Sequence, residues 1–178
     1  MRYTVEAISF ENKGKERNWI CVRPALLEQA IEHFLENHQM ESMLGDNNHV
    51  TKMTTATIGR CRPDFQAGNT LIEVRILRRN ARNPGGFNQG SLASSISQIG
   101  KYCQKLSSMK ETTEKMILLL VCQAGTEEKQ VSFKGKANNE IKKAVENGVE
   151  IWTADLQFDI DGISLLTYQN ITDRILGN

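Results

Sequence analysis

A mixed α/β (α+β) fold, with a central mixed β-sheet flanked by helices, is what this 178-residue sequence predicts. Three observations carry the expectation. Lys115 to Gln123 (K-M-I-L-L-L-V-C-Q) is apolar without alternation, the pattern of a strand buried on both faces. Residues 61–77 (C-R-P-D-F-Q-A-G-N-T-L-I-E-V-R-I-L) read as a hairpin, with a short strand ending at Pro63-Asp64, a turn at Ala67-Gly68-Asn69 and an apolar strand over 71–77. Stretches with a helical spacing of apolar residues are interleaved with the strands, which is the order of a sheet covered by helices.

Taken in order, residues 2–10 alternate enough for a strand, 12–15 (N-K-G-K) form a turn, and 17–23 form a second strand. Pro24 suits the first turn of a helix, and Leu27, Ala30, Ile31, Phe34 and Leu35 give residues 25–37 one apolar face. Residues 40–48 are expected to be loop, and 49–58, rich in threonine and valine, a strand. After the hairpin, residues 78–90 (R-R-N-A-R-N-P-G-G-F-N-Q-G) read as a basic, glycine-rich loop. Residues 91–107 form a helix whose stripe is Leu92, Ile96, Ile99, Cys103 and Leu106, with Gln98, Lys101, Tyr102 and Lys105 on a polar, basic flank. Residues 125–136 are a polar loop, 138–147 a helix ended by Gly148, 149–154 a buried strand, 159–162 a turn and 163–168 an edge strand. The last ten residues read as a short helix. Without repeats, linkers or low-complexity segments, the expected organisation is one domain over 1–178: N-terminal strands over 1–23, a core over 24–168 and a tail over 169–178.

Composition is that of an ordinary globular protein. The longest apolar run, 116–122, is too short to span a bilayer, and the N-terminus lacks the apolar core of a signal peptide. No membrane association and a cytoplasmic location are the expectation. Cys21, Cys61, Cys103 and Cys122 are scattered and form no C-x-x-C pair, as suits reduced thiols. His33, His38 and His49 lack a ligand spacing. The net charge of +1 is unevenly spread: residues 52–110 carry ten basic residues and only two acids, Asp64 and Glu73, a net +8, which leaves −7 for the rest. A basic middle enclosing two lone acids fits a site that attracts a polyanion and also ligates a cation.

Those two acids sit in the hairpin. Alternation puts Ile72, Val74 and Ile76 on one face of the second strand, and Leu71, Glu73, Arg75 and Leu77 on the other. Burying a carboxylate and a guanidinium there costs several kcal/mol unless something compensates. A metal ion held by Asp64 and Glu73 compensates, and so does a phosphodiester held by Arg75. The alternative is a structural Glu73–Arg75 neighbour pair on a strand with one wet face. An acid followed some nine residues later by Glu-x-basic is the set a magnesium-dependent nuclease uses: carboxylates for a hard cation, the cation to activate water and a positive side chain to offset developing charge. Glu28 and Glu32, four apart on one helix face, are candidates for a third carboxylate, or else solvated glutamates.

The stretches 62–75 (R-P-D-F-Q-A-G-N-T-L-I-E-V-R), 40–45 (M-E-S-M-L-G) and 138–155 (N-N-E-I-K-K-A-V-E-N-G-V-E-I-W-T-A-D) together resemble the sugar fermentation stimulation protein A family, part of the PD-(D/E)XK nuclease-like superfamily. The resemblance covers about 18–166. It implies a restriction-endonuclease-like fold, Asp64 and Glu73 as ligands of Mg2+ (or Mn2+), and Arg75 in the place of the catalytic lysine. It also likens Gln98 and Tyr102 to a Gln-x-x-x-Tyr element of some nucleases of the superfamily. This chain departs from the pattern in having Glu73-Val74-Arg75 for Glu-Val-Lys and Ile76-Leu77-Arg78 for the usual Asn-Val-Thr, and it has no room for the family's N-terminal β-barrel beyond its first two strands. Arginine stays protonated, so it cannot serve as a base.

The expected function is a metal-dependent nuclease acting on nucleic acid, DNA favoured, with Asp64, Glu73, Arg75 and Glu28 as catalytic residues. Arg62, Arg78, Arg79, Arg82, Gln98, Lys101, Tyr102 and Lys105 would contact the nucleic acid, and a homodimer is one option. The alternatives are a non-catalytic nucleic-acid-binding module of the same fold and a domain whose basic face meets an acidic protein.

Overall fold

The computed structural model describes residues 6–12, 15–21, 24–45, 49–54, 62–77, 79–80, 83–87, 93–94, 96–98, 101, 115–123, 133–159 and 162–177. Its elements are β1 (Glu6–Asn12), β2 (Lys15–Cys21), α1 (Pro24–Glu36), α2 (Glu41–Leu44), β3 (Val50–Lys52), β4 (Phe65–Ala67), β5 (Thr70–Ile76), β6 (Arg79–Asn80), β7 (Asn83–Phe87), β8 (Lys115–Gln123), α3 (Lys136–Glu146), β9 (Val149–Asp159), β10 (Gly162–Asn170) and α4 (Thr172–Leu176). Residues 93–94, 96–98 and 101, within the helix expected over 91–107, are helical.

Six strands form the central sheet in the order β10-β9-β8-β5-β4-β3. The middle three, β5, β8 and β9, are parallel, while β3, β4 and β10 run antiparallel to their neighbours. The sheet is therefore mixed, and helices flank it: the α/β fold class expected from the sequence. The centre of the sheet is parallel because helical segments separate its strands, α3 bridging β8 and β9; the antiparallel margins follow from short turns. Gly68 and Asn69 join β4 to β5 with Ala67 opposite Thr70. Only Gly68 is left-handed (φ 55°), the signature of a hairpin turn with glycine first.

The two faces of the sheet bury different partners. One packs Ile72, Val74, Ile117, Leu119, Val121, Trp152 and Ala154 against Leu27, Ala30, Ile31, Phe34 and Leu35 of α1 and against Met43 and Leu44 of α2. The other packs Leu77, Leu118, Leu120, Cys122 and Ile151 against Ile96, Ile141, Ala144, Val145 and, from the C-terminal segment, Ile171 and Ile175. β8 contributes to both, so its unbroken apolar run is required by position: Ile117, Leu118, Leu119 and Leu120 are all fully buried. Cys122 is a free, buried thiol.

Four expectations need correction. Residues 40–48 are not all loop: Met40, Met43 and Leu44 are buried, a three-four spacing that pays for one helical turn, which Gly45 closes at φ 63° with its N–H on the Glu41 carbonyl. Lys115 and Tyr168 tie this turn to the sheet, Lys115 Nζ donating to the Met43 carbonyl at 3.3 Å and Ser42 Oγ to the Tyr168 hydroxyl at 3.1 Å. Among the described residues the first strand of the hairpin, β4, starts after Pro63-Asp64, at Phe65. Proline has no N–H for the ladder, so pairing starts at Phe65. The expected loop over 78–90 contains β6 and β7, an antiparallel ribbon with Arg79 opposite Phe87. The strands expected at 2–10 and 17–23 lie closer together, paired from Glu6 opposite Cys21 to Asn12 opposite Lys15; Lys13-Gly14 and residues 55–58 of the strand expected at 49–58 are outside the described residues.

Leu119→Ala should lower stability by about 2–5 kcal/mol, the cost of a cavity in a closed core, whereas Leu166→Ala on the exposed face of edge strand β10 should change it by less than about 0.5 kcal/mol. Urea unfolding midpoints of the two variants check this pair, and equal losses would contradict the assignment of β8 to the centre.

Candidate metal centre

The site is assembled where β4 begins and β5 runs on past it, still paired with β8 on its other side. β4 pairs with β5 from Phe65 opposite Ile72; Asp64, just ahead of Phe65, bonds across to Ile72 and Val74 of β5, and its charge reaches Glu73. Asp64 is fixed by three hydrogen bonds. Its N–H donates to the Ile72 carbonyl at 3.0 Å, its carbonyl accepts from the Met53 N–H at 3.0 Å, and its Oδ2 accepts from the Val74 N–H at 2.7 Å. The last bond has a local cause. Val74 N–H points to the β4 side of β5, beyond the Phe65–Ile72 pair where the described ladder stops, and the aspartate side chain supplies its acceptor. Asp64 thus meets the Val74 N–H with one carboxylate oxygen, Oδ2.

Glu73 lies on the opposite face of β5 from Ile72 and Val74, on the side of Leu118 and Leu120 of β8, its own partner in register being Leu118. Only 2% of it is exposed. Its Oε1 pairs with Nη2 of Arg75, and its Oε2 is buried with no hydrogen-bond partner. Arg75 reaches further out, with 29% of its side chain exposed. Its Nη1 donates to the Val74 carbonyl at 3.2 Å, and its Nε is buried without an acceptor. A buried acceptor and a buried donor therefore stand unmade in neighbouring side chains, each carrying the desolvation cost of an unmet polar group.

The electrostatics agree with this geometry. Burial pushes the Glu73 carboxyl up to about 7, the Asp64 charge adds to the rise, and the opposing pull of Arg75 does not prevail. Asp64 is also raised, chiefly by burial, against the Val74 N–H and the Arg75 charge; Glu28 raises it further. Two acids raised by burial, one of them nearly sealed from water and raised further by the other's charge, are a group in want of positive charge. Mg2+ is commonly held through one or two carboxylates while keeping several waters, and the unmade Oε2 of Glu73 together with the Asp64 carboxylate fits that donor set. Among the described residues no group of three or more His, Cys, Asp and Glu side chains is arranged to hold a cation.

The other expected site residues fall in several places. Glu28 is on α1, half exposed, and its charge reaches Asp64, but its carboxylate faces Lys52 at 3.8 Å, as does that of Glu32 at 3.6 Å. Lys52, a third partner that the sequence did not single out, thus occupies the glutamates proposed as additional ligands; its position opposite Phe65 in β3 puts it there. Arg62 is exposed, two residues ahead of Asp64, and its charge lowers both acids. Gln98 and Lys101 are exposed on the helical segment and Arg79 is in β6. Arg78, Arg82, Tyr102 and Lys105 lie outside the described residues. The capping role of Asp64 was also missed; Pro63 was the signal for it.

Two outcomes follow. Asp64→Ala should cost about 1–3 kcal/mol by stranding the Val74 N–H, and Asp64→Asn, which keeps an acceptor oxygen, should cost much less; denaturant midpoints compare them. An acid whose pKa is higher folded than unfolded holds its proton longer in the native state, so its contribution is complete below the ordinary value and lost as pH rises through the folded one. In chelator the melting temperature should accordingly fall between pH 4.5 and about 7 on account of Glu73, and Glu73→Gln should flatten that fall. Parallel profiles for the two proteins would contradict the raised Glu73.

No family model and no curated protein matches the chain. Among solved structures it is similar to SfsA of Pyrococcus furiosus in complex with Ca2+, at 18% sequence identity and a TM-score of 0.55, over 90% of this chain and 68% of that one. At that identity the likeness is one of fold.

Proposed function

We propose that this chain is a divalent-cation-dependent nuclease that hydrolyses phosphodiester bonds of nucleic acid, DNA being favoured, with Mg2+ or Mn2+ as the cation. The reading is carried by one observation: a glutamate 2% exposed, with one carboxylate oxygen unmade, stands beside a second acid and a guanidinium at the end of a hairpin. A neighbour in fold binding Ca2+ supports a hard-cation site of this type. Asp64 and Glu73 hold the cation. When bound, it supplies an activated water and neutralises charge on the scissile phosphate. Arg75 stabilises the phosphate's developing charge with a planar donor set. Arg62, exposed beside the acids, and Gln98 and Lys101 on the helical flank, with Arg78, Arg79, Arg82, Tyr102 and Lys105, attract and orient the polyanion. Glu28 tunes Asp64 through its charge.

A second reading is favoured by Arg75 itself. A side chain that is always protonated cannot accept the proton of an attacking water, so a nucleic-acid-binding module without chemistry uses the same residues. The two readings separate on a panel of single- and double-stranded DNA and RNA. For the nuclease, cleavage requires Mg2+ or Mn2+, ceases in chelator and drops roughly a hundredfold or more in Glu73→Gln and Asp64→Asn, the scale of losing one preorganised charge contact. For the binding module, all substrates stay intact while affinity falls steeply with salt. Neither cleavage nor salt-dependent binding would reject both.

A further inference from the structure

Resting on that reading of Asp64 and Glu73, we infer that Glu73 and Arg75 form a latch that couples cation binding to polyanion binding. In the free protein the guanidinium is held on Glu73, and a cation that takes the Glu73 carboxylate releases Arg75 toward a phosphate.

The pieces are on one strand. Glu73 and Arg75 are two residues apart on the same side of β5, the carboxylate sealed beneath and the guanidinium at the rim. Their contact uses Glu73 Oε1 and Arg75 Nη2. A doubly charged cation on Glu73 therefore competes directly with Arg75 for the same carboxylate and repels it, an interaction that low local dielectric strengthens. What Arg75 carries away is also informative. Its Nε is buried and without an acceptor in the latched state. Nε–H and a neighbouring Nη–H form the edge of the guanidinium that grips two phosphate oxygens at once, so the latch keeps the phosphate-binding edge unsatisfied until the carboxylate is withdrawn. A lysine has no such edge to hold in reserve. Coupling of this kind is reciprocal: a polyanion that captures Arg75 frees Glu73 for the cation, and each ligand tightens the other by the same factor.

The test uses Ca2+ as the cation and a 12-base-pair DNA duplex as the polyanion, with gels run alongside to show that the duplex stays intact. In the wild-type protein, Ca2+ should shift the Arg75 Nε–Hε resonance saturably, and calorimetry should show Ca2+ tightening duplex binding roughly tenfold, within the usual span of such couplings. Arg75→Gln should bind Ca2+ more tightly than wild type in the absence of DNA, because its competitor is gone, and should lose the enhancement of duplex binding. Arg75→Lys should keep the charge and lose most of the enhancement. Saturable Ca2+ binding with an unmoved Arg75 resonance would overturn the latch, as would an enhancement retained in Arg75→Gln. The resonance is read on the unmodified protein, so the test stands even if a variant misfolds. A flat Ca2+ isotherm in both wild type and Arg75→Gln rejects instead the cation site on which the latch rests.

Discussion

The ion pair between Glu73 and Arg75 on a largely apolar sheet face is the interaction on which this molecule's character depends. β5 runs beside Leu118 and Leu120, residues chosen for dryness. A strand built only to hold the sheet together would present a branched aliphatic side chain at position 73. Placing a carboxylate there raises its affinity for a proton and leaves half its acceptor capacity unmet, a cost that a buried pair recovers only partly. Strain of that kind is tolerated where a ligand makes use of it.

The architecture around the pair makes the site compatible with stability. The parallel core of β5, β8 and β9 is covered on both faces, and its apolar contacts do not involve the two acids. The antiparallel margin of β3 and β4 is short among the described residues, three residues in each strand. The acids are consequently held at the seam between a closed core and a terminated edge, where one face of the hairpin is within reach of solvent through Arg75 while the carboxylate of Glu73 is not. Lys52 neutralises the glutamates of α1 at the same margin, which keeps Glu28 an electrostatic neighbour of Asp64 and not a member of the pair.

Much of this was legible in the chain. The buried central strand, the Gly68-Asn69 turn, the α1 stripe, the helix ended by Gly148 and the edge strand all follow from periods and punctuation that depend on local physics. The pairing of Glu73 with Arg75 was legible too, since alternation alone puts them side by side. What escaped was set by tertiary context. One helical turn at Glu41–Leu44 is too short to show a period, and exists because Met43 and Leu44 find a core to enter. The ribbon of β6 and β7 hides in glycine, proline and arginine, residues that punctuate loops. The hydrogen bond from Val74 to Asp64 depends on two strands meeting, and Lys52 acquires its partners only when β3 is laid against α1.

On the proposed reading Asp64 does two jobs, and the jobs have different dependence on chemistry. Closing the ladder at Val74 is a requirement of the sheet itself and persists whether or not anything is ever hydrolysed. Descendants that had abandoned catalysis would therefore still keep an acceptor at this position, and its presence among relatives is a poor witness to activity. Among the described residues Glu73 caps no strand and is held by Arg75 alone. It is the position where drift toward an aliphatic residue would go unpunished, and hence the one that records whether selection for chemistry has continued.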